Sequence, residues 1–217
     1  MSAIASYLAH SIAPHFARSD LVGALQSLTR HSTARDLLEA LDSSDDETVA
    51  LAARSLGLVG EFRHTEPLAA LLRHPSPSVV EVAEEALWRV WMRAPDAYAQ
   101  DLLSSAEAER RAGHTASCIE HLEALTLIAP TFAEGFHQLA MTLDGVGRSA
   151  DAADAYRRAL ELNPWHFAAA ASLGHWFVQS GRLAEALAPY RRAIAIHPGL
   201  SEIRELLPRL EAALART

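Results

Sequence analysis

The stretches AYRRALELNP, residues 155–164, and PYRRAIAIHP, residues 189–198, are nearly the same ten residues written twice. Tyr156 aligns with Tyr190, Arg157 and Arg158 with Arg191 and Arg192, and Pro164 with Pro198, at an offset of 34 positions. A fixed period of this length marks stacked helix pairs, because one hairpin of two helices cannot cover its own apolar face and so packs on a copy of itself. The spelling around the two stretches agrees. Ala152 and Ala186 are small where two helices must approach, the tyrosines fill the space between neighbouring pairs, and the prolines end the second helix of each pair. Gly113, Gly147 and Gly181 also stand 34 apart, at the turn inside each pair, where a left-handed backbone is easiest for glycine.

In this frame Phe136, Leu139, Ala140, Leu143, Ala152, Tyr156, Ala159 and Pro164 fall on the signature positions of the tetratricopeptide repeat, followed by Ala170, Leu173, Gly174, Phe177, Ala186, Tyr190, Ala193 and Pro198. Both copies resemble that family. Leu102, Ser105, Ala106, Glu109, Cys118, Leu122, Leu125 and Pro130 make a weaker copy upstream. The expected units are about 99–132, 133–166 and 167–200, closed by a capping helix in SEIRELLPRLEAALART whose Pro208 predicts a kink or a delayed start. The resemblance implies an all-α, right-handed α-solenoid of antiparallel helix pairs that binds a protein or peptide along the groove lined by its first helices. The groove positions are then Leu103, Glu107 and Arg110, Glu134, His137, Met141 and Asp144, and Ala168, Ala171, His175 and Val178. The family's clamp for acidic chaperone tails is excluded. Leu103 and Glu107 stand where it needs Lys and Asn, Gln138 where it needs a second Asn, and Ala168 and Ser172 where it needs Lys and Arg. A groove of Glu, His, Met and small apolar residues suits a partner with apolar anchors and some positive charge, whose binding His137 and His175 would weaken below about pH 6.5.

Residues 1–94 follow a different period. Val49, Ala52, Ala53, Leu56 and Val59 recur 31 positions on as Val80, Ala83, Glu84, Leu87 and Val90, and 31 positions back as Arg18, Leu21, Val22, Leu25 and Leu28, while Leu37 and Leu41 map onto Leu68 and Leu72. This half resembles short HEAT-like repeats, with Asp46 and Ser76 as expected N-caps and Pro77 and Pro67 in first helical turns. One helix at about 97–112 serves both registers, which predicts a single curved solenoid with its junction near Pro95. HEAT-like repeats of this type also resemble those of phycobilin lyases, which makes a cofactor-maturation factor the alternative to a binding scaffold. At the N-terminus Ile4, Leu8 and Ile12 predict a short helix ended by Pro14.

The chain of 217 residues carries a net charge of -8, divided equally between residues 1–94 and 95–217. An evenly acidic chain without a basic face argues against nucleic-acid binding. No apolar run is long enough to span a bilayer, a basic n-region is missing from the start, and Cys118 stands alone, so a cytoplasmic protein is expected. All 19 basic residues are Arg, which excludes phosphate-loop and Schiff-base lysines. His114, Cys118 and His121 could place metal ligands along one helical face, but Cys118 occupies the small buried position of Ala152 and Ala186, so no metal or other cofactor is expected. No Gly-rich phosphate loop, HExxH, GxSxG or paired CxxC occurs, and Ser43, Ser44, Asp45 and Asp46 make a helix start rather than a catalytic set, so no catalytic residues are assigned and the chain is read as non-enzymatic. Trp88 and Trp91 share a helix side and serve as junction packing or, less well, as an anchor. Self-association as a homo-oligomer through that junction or an array end is the remaining partner expectation.

Overall fold

The computed structural model describes residues 2–216, and among them every regular element is helical. The chain divides into two compact units, residues 1–92 and 93–217.

The first unit holds α1 (Ala3–Tyr7), α2 (Ala13–Ala17), α3 (Leu21–His31), α4 (Ala34–Ala40), α5 (Asp46–Val59), α6 (Thr65–Ala70) and α7 (Pro77–Trp91). Pro14 does not end the N-terminal helix as expected. A π turn over Leu8–Ile12 absorbs the missing N–H, and Pro14 sits in the first turn of α2, where a proline has no intrahelical bond to lose. Leu8 and Ile12 are fully buried. The centre of this unit is α5 packed on α7, with Gly57 so close to α7 that a Cβ there would lie 3.0 Å from the Ala86 Cα. Asp45, not Asp46, caps α5 by accepting from the Thr48 N–H at 3.0 Å, and Ser76 occupies the start of α7 with its hydroxyl turned to Ser78 instead of the helix. Leu37, Leu41, Leu68 and Leu72 are buried where the 31-residue register puts them, but α7 turns Val79 inward rather than Val80. In α3 only Ala24 and Leu28 face the core. Leu21, Val22 and Leu25 are exposed, because the apolar face of α3 that α5 and the π turn cover is narrower than the register implies.

The second unit holds α8 (Ala97–Ala112), α9 (Thr115–Ile128), α10 (Ala133–Gly145), α11 (Ser149–Leu162), α12 (Phe167–Gln179), α13 (Leu183–Ile196) and α14 (Ser201–Leu214). Each helix packs on the next in chain order, the layout of a solenoid of hairpins. Gly113, Gly147 and Gly181 have φ of 79°, 78° and 72°, the left-handed turn expected of them. Ala152 and Ala186 are fully buried beneath Tyr156 and Tyr190. A Cβ on Gly174 would come within 2.5 Å of the Tyr190 ring, so glycine is demanded by the close approach of α12 and α13. The arginine pairs of the repeated stretches tie one hairpin to the next. Arg158 donates to the Pro130 carbonyl at 3.3 Å, and Arg192 donates to the Pro164 carbonyl at 2.8 Å and to that of Leu160 at 3.2 Å, each reaching back to the end of the preceding hairpin. Arg157 lies over the Trp176 and Phe177 rings, and Arg191 bonds Glu211 of α14. That last helix buries Ile203 and Leu210 and exposes its other face, as an end cap must; it starts at Ser201 and runs through Pro208 without delay.

Gly174→Ala is expected to lose about 1–3 kcal/mol through overpacking against Tyr190. The change reads out as a lower urea midpoint. Pro189 lies inside α13 where the preceding copy has Ala155, and an interior proline costs a helix about 3 kcal/mol relative to alanine. Pro189→Ala is therefore expected to raise the thermal midpoint, measured by circular dichroism.

Candidate binding face and its buried support

The first helices of the three hairpins, α8, α10 and α12, carry all the sequence-designated groove residues. Glu107, Arg110, Gln138 and Thr142 surround a narrow cleft floored by Leu103, Ala106, Cys118 and Leu122. Beside it Arg110, Gln138, Met141, Thr142, Gly145 and Val146 border an open depression of about 440 Å³. Met141 and Arg110 are exposed, and Glu107, Asp144, Ala168, Ala171, His175 and Val178 are half-buried. Glu107, Arg110 and Met141 are thus brought together around Gln138 and Thr142, two lining residues that the repeat register alone did not single out. His175 accepts from, or donates to, the Tyr190 hydroxyl at 2.7 Å, so its ring is held rather than free. Asp144 lies near Tyr156, whose hydroxyl bonds Ser172, and burial first and then Asp144 push that phenol up to about 12.

Three of the designated residues are sealed from solvent, Leu103 as part of the cleft floor. Leu103, Glu134 and His137 are 1%, 1% and 2% exposed. Glu134 and His137 lie in the first turn and a half of α10, which the Leu125 end of α9 covers near Gly135. Buried there, Glu134 accepts from His137 Nδ1 at 3.1 Å and from Gln138, and through its other oxygen from His166 Nε2 at 2.9 Å. The His137 and His166 rings lie 4.3 Å apart. His166 was not designated from sequence. The signal was present, since it stands at the start of the first helix one repeat on from Glu134, where the hairpin stack makes the two neighbours. His137 is accordingly not an open groove residue, because its ring faces Glu134 in the core.

Glu134, His137 and His166 each offer a metal-binding atom, all within 4.8 Å of one another. The hydrogen bonds give these atoms another use. His166 is also the N-cap of α12, its Nδ1 accepting from the Ala169 N–H at 3.2 Å. The ring proton of neutral His166 therefore lies on Nε2, which donates to Glu134, so the atom facing the other two is a donor rather than a lone pair. Burial alone would raise the Glu134 carboxyl, but the hydrogen bonds and charge of His137 and His166 outweigh it and hold the group at about 2. Among the other candidate ligands, His114 pairs with Glu109 at 2.8 Å on the surface while Cys118 is buried with its Sγ 3.8 Å from the Thr142 hydroxyl.

The arrangement defines a helical repeat module with an accessible mixed face and a polar knot beneath it. Residues 137–201 match the family described as tetratricopeptide repeat. No curated protein matches the chain in sequence. Among solved structures the chain is similar to the crystal structure of MamA, at 16% identity over 87% of this chain and 95% of that one with a TM-score of 0.46. It is also similar to MamA 41-end from Desulfovibrio magneticus RS-1, at 16% identity over 92% and 98% with a TM-score of 0.45. A third is the yeast Sti1 TPR2AB-domain:pHSP90 complex, at 14% identity over 95% and 85% with a TM-score of 0.49. Among the described residues no helix is long and apolar enough to cross a membrane.

Removing the buried acceptor leaves two histidines without it, and breaking such a buried pair costs about 3–5 kcal/mol. Glu134→Ala is expected to lose stability on that scale, with amides of α10 and α12 losing hydrogen-exchange protection while those of α5 keep theirs.

Proposed function

We propose that the chain is a non-enzymatic binding module that holds a segment of another protein along the face formed by α8, α10 and α12. The observation that carries this reading is the partly accessible set itself: Arg110 and Met141 are exposed and Glu107, Asp144, Ala171 and Val178 half-buried on consecutive first helices, while the tyrosines, small residues and Glu134 are sealed. Repeat modules of this type use such a continuous surface for recognition. The chemistry of the face selects its partner. Met141 and Val178 supply adaptable apolar contacts, and Glu107 and Asp144 favour a segment with basic residues near its apolar anchors. Lysine is absent from the chain, and Leu103, Glu107, Gln138, Ala168 and Ser172 do not reproduce a carboxylate clamp, so an acidic chain end is a poor ligand. The HEAT-like character of residues 1–94 belongs to this proposal too, as a second surface whose own partner its helices do not specify.

The test is enrichment of partners from native extract by the wild-type chain against Glu107→Arg/Met141→Arg/Val178→Arg, with circular dichroism confirming that the variant is folded. A partner that is captured by the wild type and reduced at least about tenfold by the variant is expected, the effect of losing roughly 1.4 kcal/mol of binding. Equal capture by both proteins removes this face from the function.

A further inference from the structure

His166 performs two tasks with one neutral ring. Nδ1 accepts from the Ala169 N–H and caps α12, while Nε2–H donates to Glu134 on α10. A second proton has only Nδ1 to go to, and there it meets the Ala169 N–H head-on, donor against donor. Protonation and the cap are therefore mutually exclusive. We propose that the His166 clasp is acid-sensitive at its cap: uptake of a proton at His166 Nδ1 uncaps α12 and loosens its first turn, while Nε2–H goes on donating to Glu134, reshaping the face to which α12 contributes Ala168, Ala171 and His175.

The surroundings make the ring the responsive group. From α10 it meets Glu134, with His137 and Gln138 beside it; from α11 Tyr156 stands 6.2 Å from the His137 ring; at the end of α13 His197 lies edge-on to Phe167, 5.0 Å away. His166 is fully buried. Burial first, then His137, push it down to about 4, against the pull of Glu134. The sign follows. An unfolded or locally opened chain takes up this proton near the ordinary histidine value of about 6.5, and the closed one only near 4, so the closed state loses stability as pH falls through that interval. Glu134, held at about 2, begins to lose its own contribution only below the ordinary carboxylate value. His166 thus opens first. The clasp stands independently of what the face binds, and its test uses no partner.

The experiment follows the full-length wild-type chain, labelled with ¹⁵N, by NMR between about pH 7.5 and 4.5. The imidazole nitrogen shifts report the tautomer, and the Ala169 amide exchange rate is taken relative to that of Ala159 in the middle of α11 so that intrinsic pH effects cancel. The expected result is an unprotonated Nδ1 at neutral pH and a relative Ala169 protection that falls about tenfold for each pH unit below about 6.5, the slope of one linked proton. A protonated Nδ1 at neutral pH, or a relative protection that stays flat, overturns the clasp. His166→Asn supplies a side chain that caps helices well and does not titrate, so its Ala169 protection is expected to be independent of pH; a fall like that of the wild type would assign the response to another group and overturn the proposal. Should the asparagine variant not fold, the wild-type tautomer and exchange readings decide alone.

Discussion

The second unit depends on a large side chain at the middle of each second helix, Leu122 in α9, Tyr156 in α11 and Tyr190 in α13, buried against the partner helix. Tyr190 fills the space left by the missing Cβ of Gly174, and Ala186 is small enough to let the helices meet there. That contact closes one hairpin but leaves its outer apolar face open, so the stack grows until α14 covers the last one with a helix that is apolar on one side only. The arginines of the repeated stretches belong to the same constraint. A second helix ends at a proline, its last carbonyls have no intrahelical donor, and Arg158 and Arg192 reach back from the next hairpin to carbonyls at that end. The periodic motif is therefore both a packing rule and a joint.

The same stacking creates the polar knot. Bringing the first turn of α10 under the turn before α12 encloses Glu134, and an enclosed carboxylate persists only with donors at hand. His137 and Gln138 come from its own helix and His166 from the next hairpin, so one acid side chain spans two repeats. Because His166 also caps α12, the local structure of a helix start and the long-range contact to α10 share a single ring.

Several features were legible from spacing alone. The 34-residue offset located the hairpins, the left-handed glycines and the buried tyrosines, and it placed Met141, Arg110 and Glu107 on one face. It did not foresee that Glu134 and His137 are buried, because register tells which side of a helix a residue occupies but not how far the neighbouring hairpin extends over that side. In the first unit the 31-residue register met Leu37, Leu68 and Leu72 correctly. It missed Val79 and the exposed side of α3, since the flanking copies lack neighbours on one side and burial there is set by contact rather than by period.

Helicity and the left-handed turns between paired helices were written into the order of residues, because they follow from local periodicity and turn preference. Which polar groups became sealed and which histidine caps α12 were settled by packing. Those properties arise where segments 32 residues apart meet and water is shut out, and no local pattern carries that information.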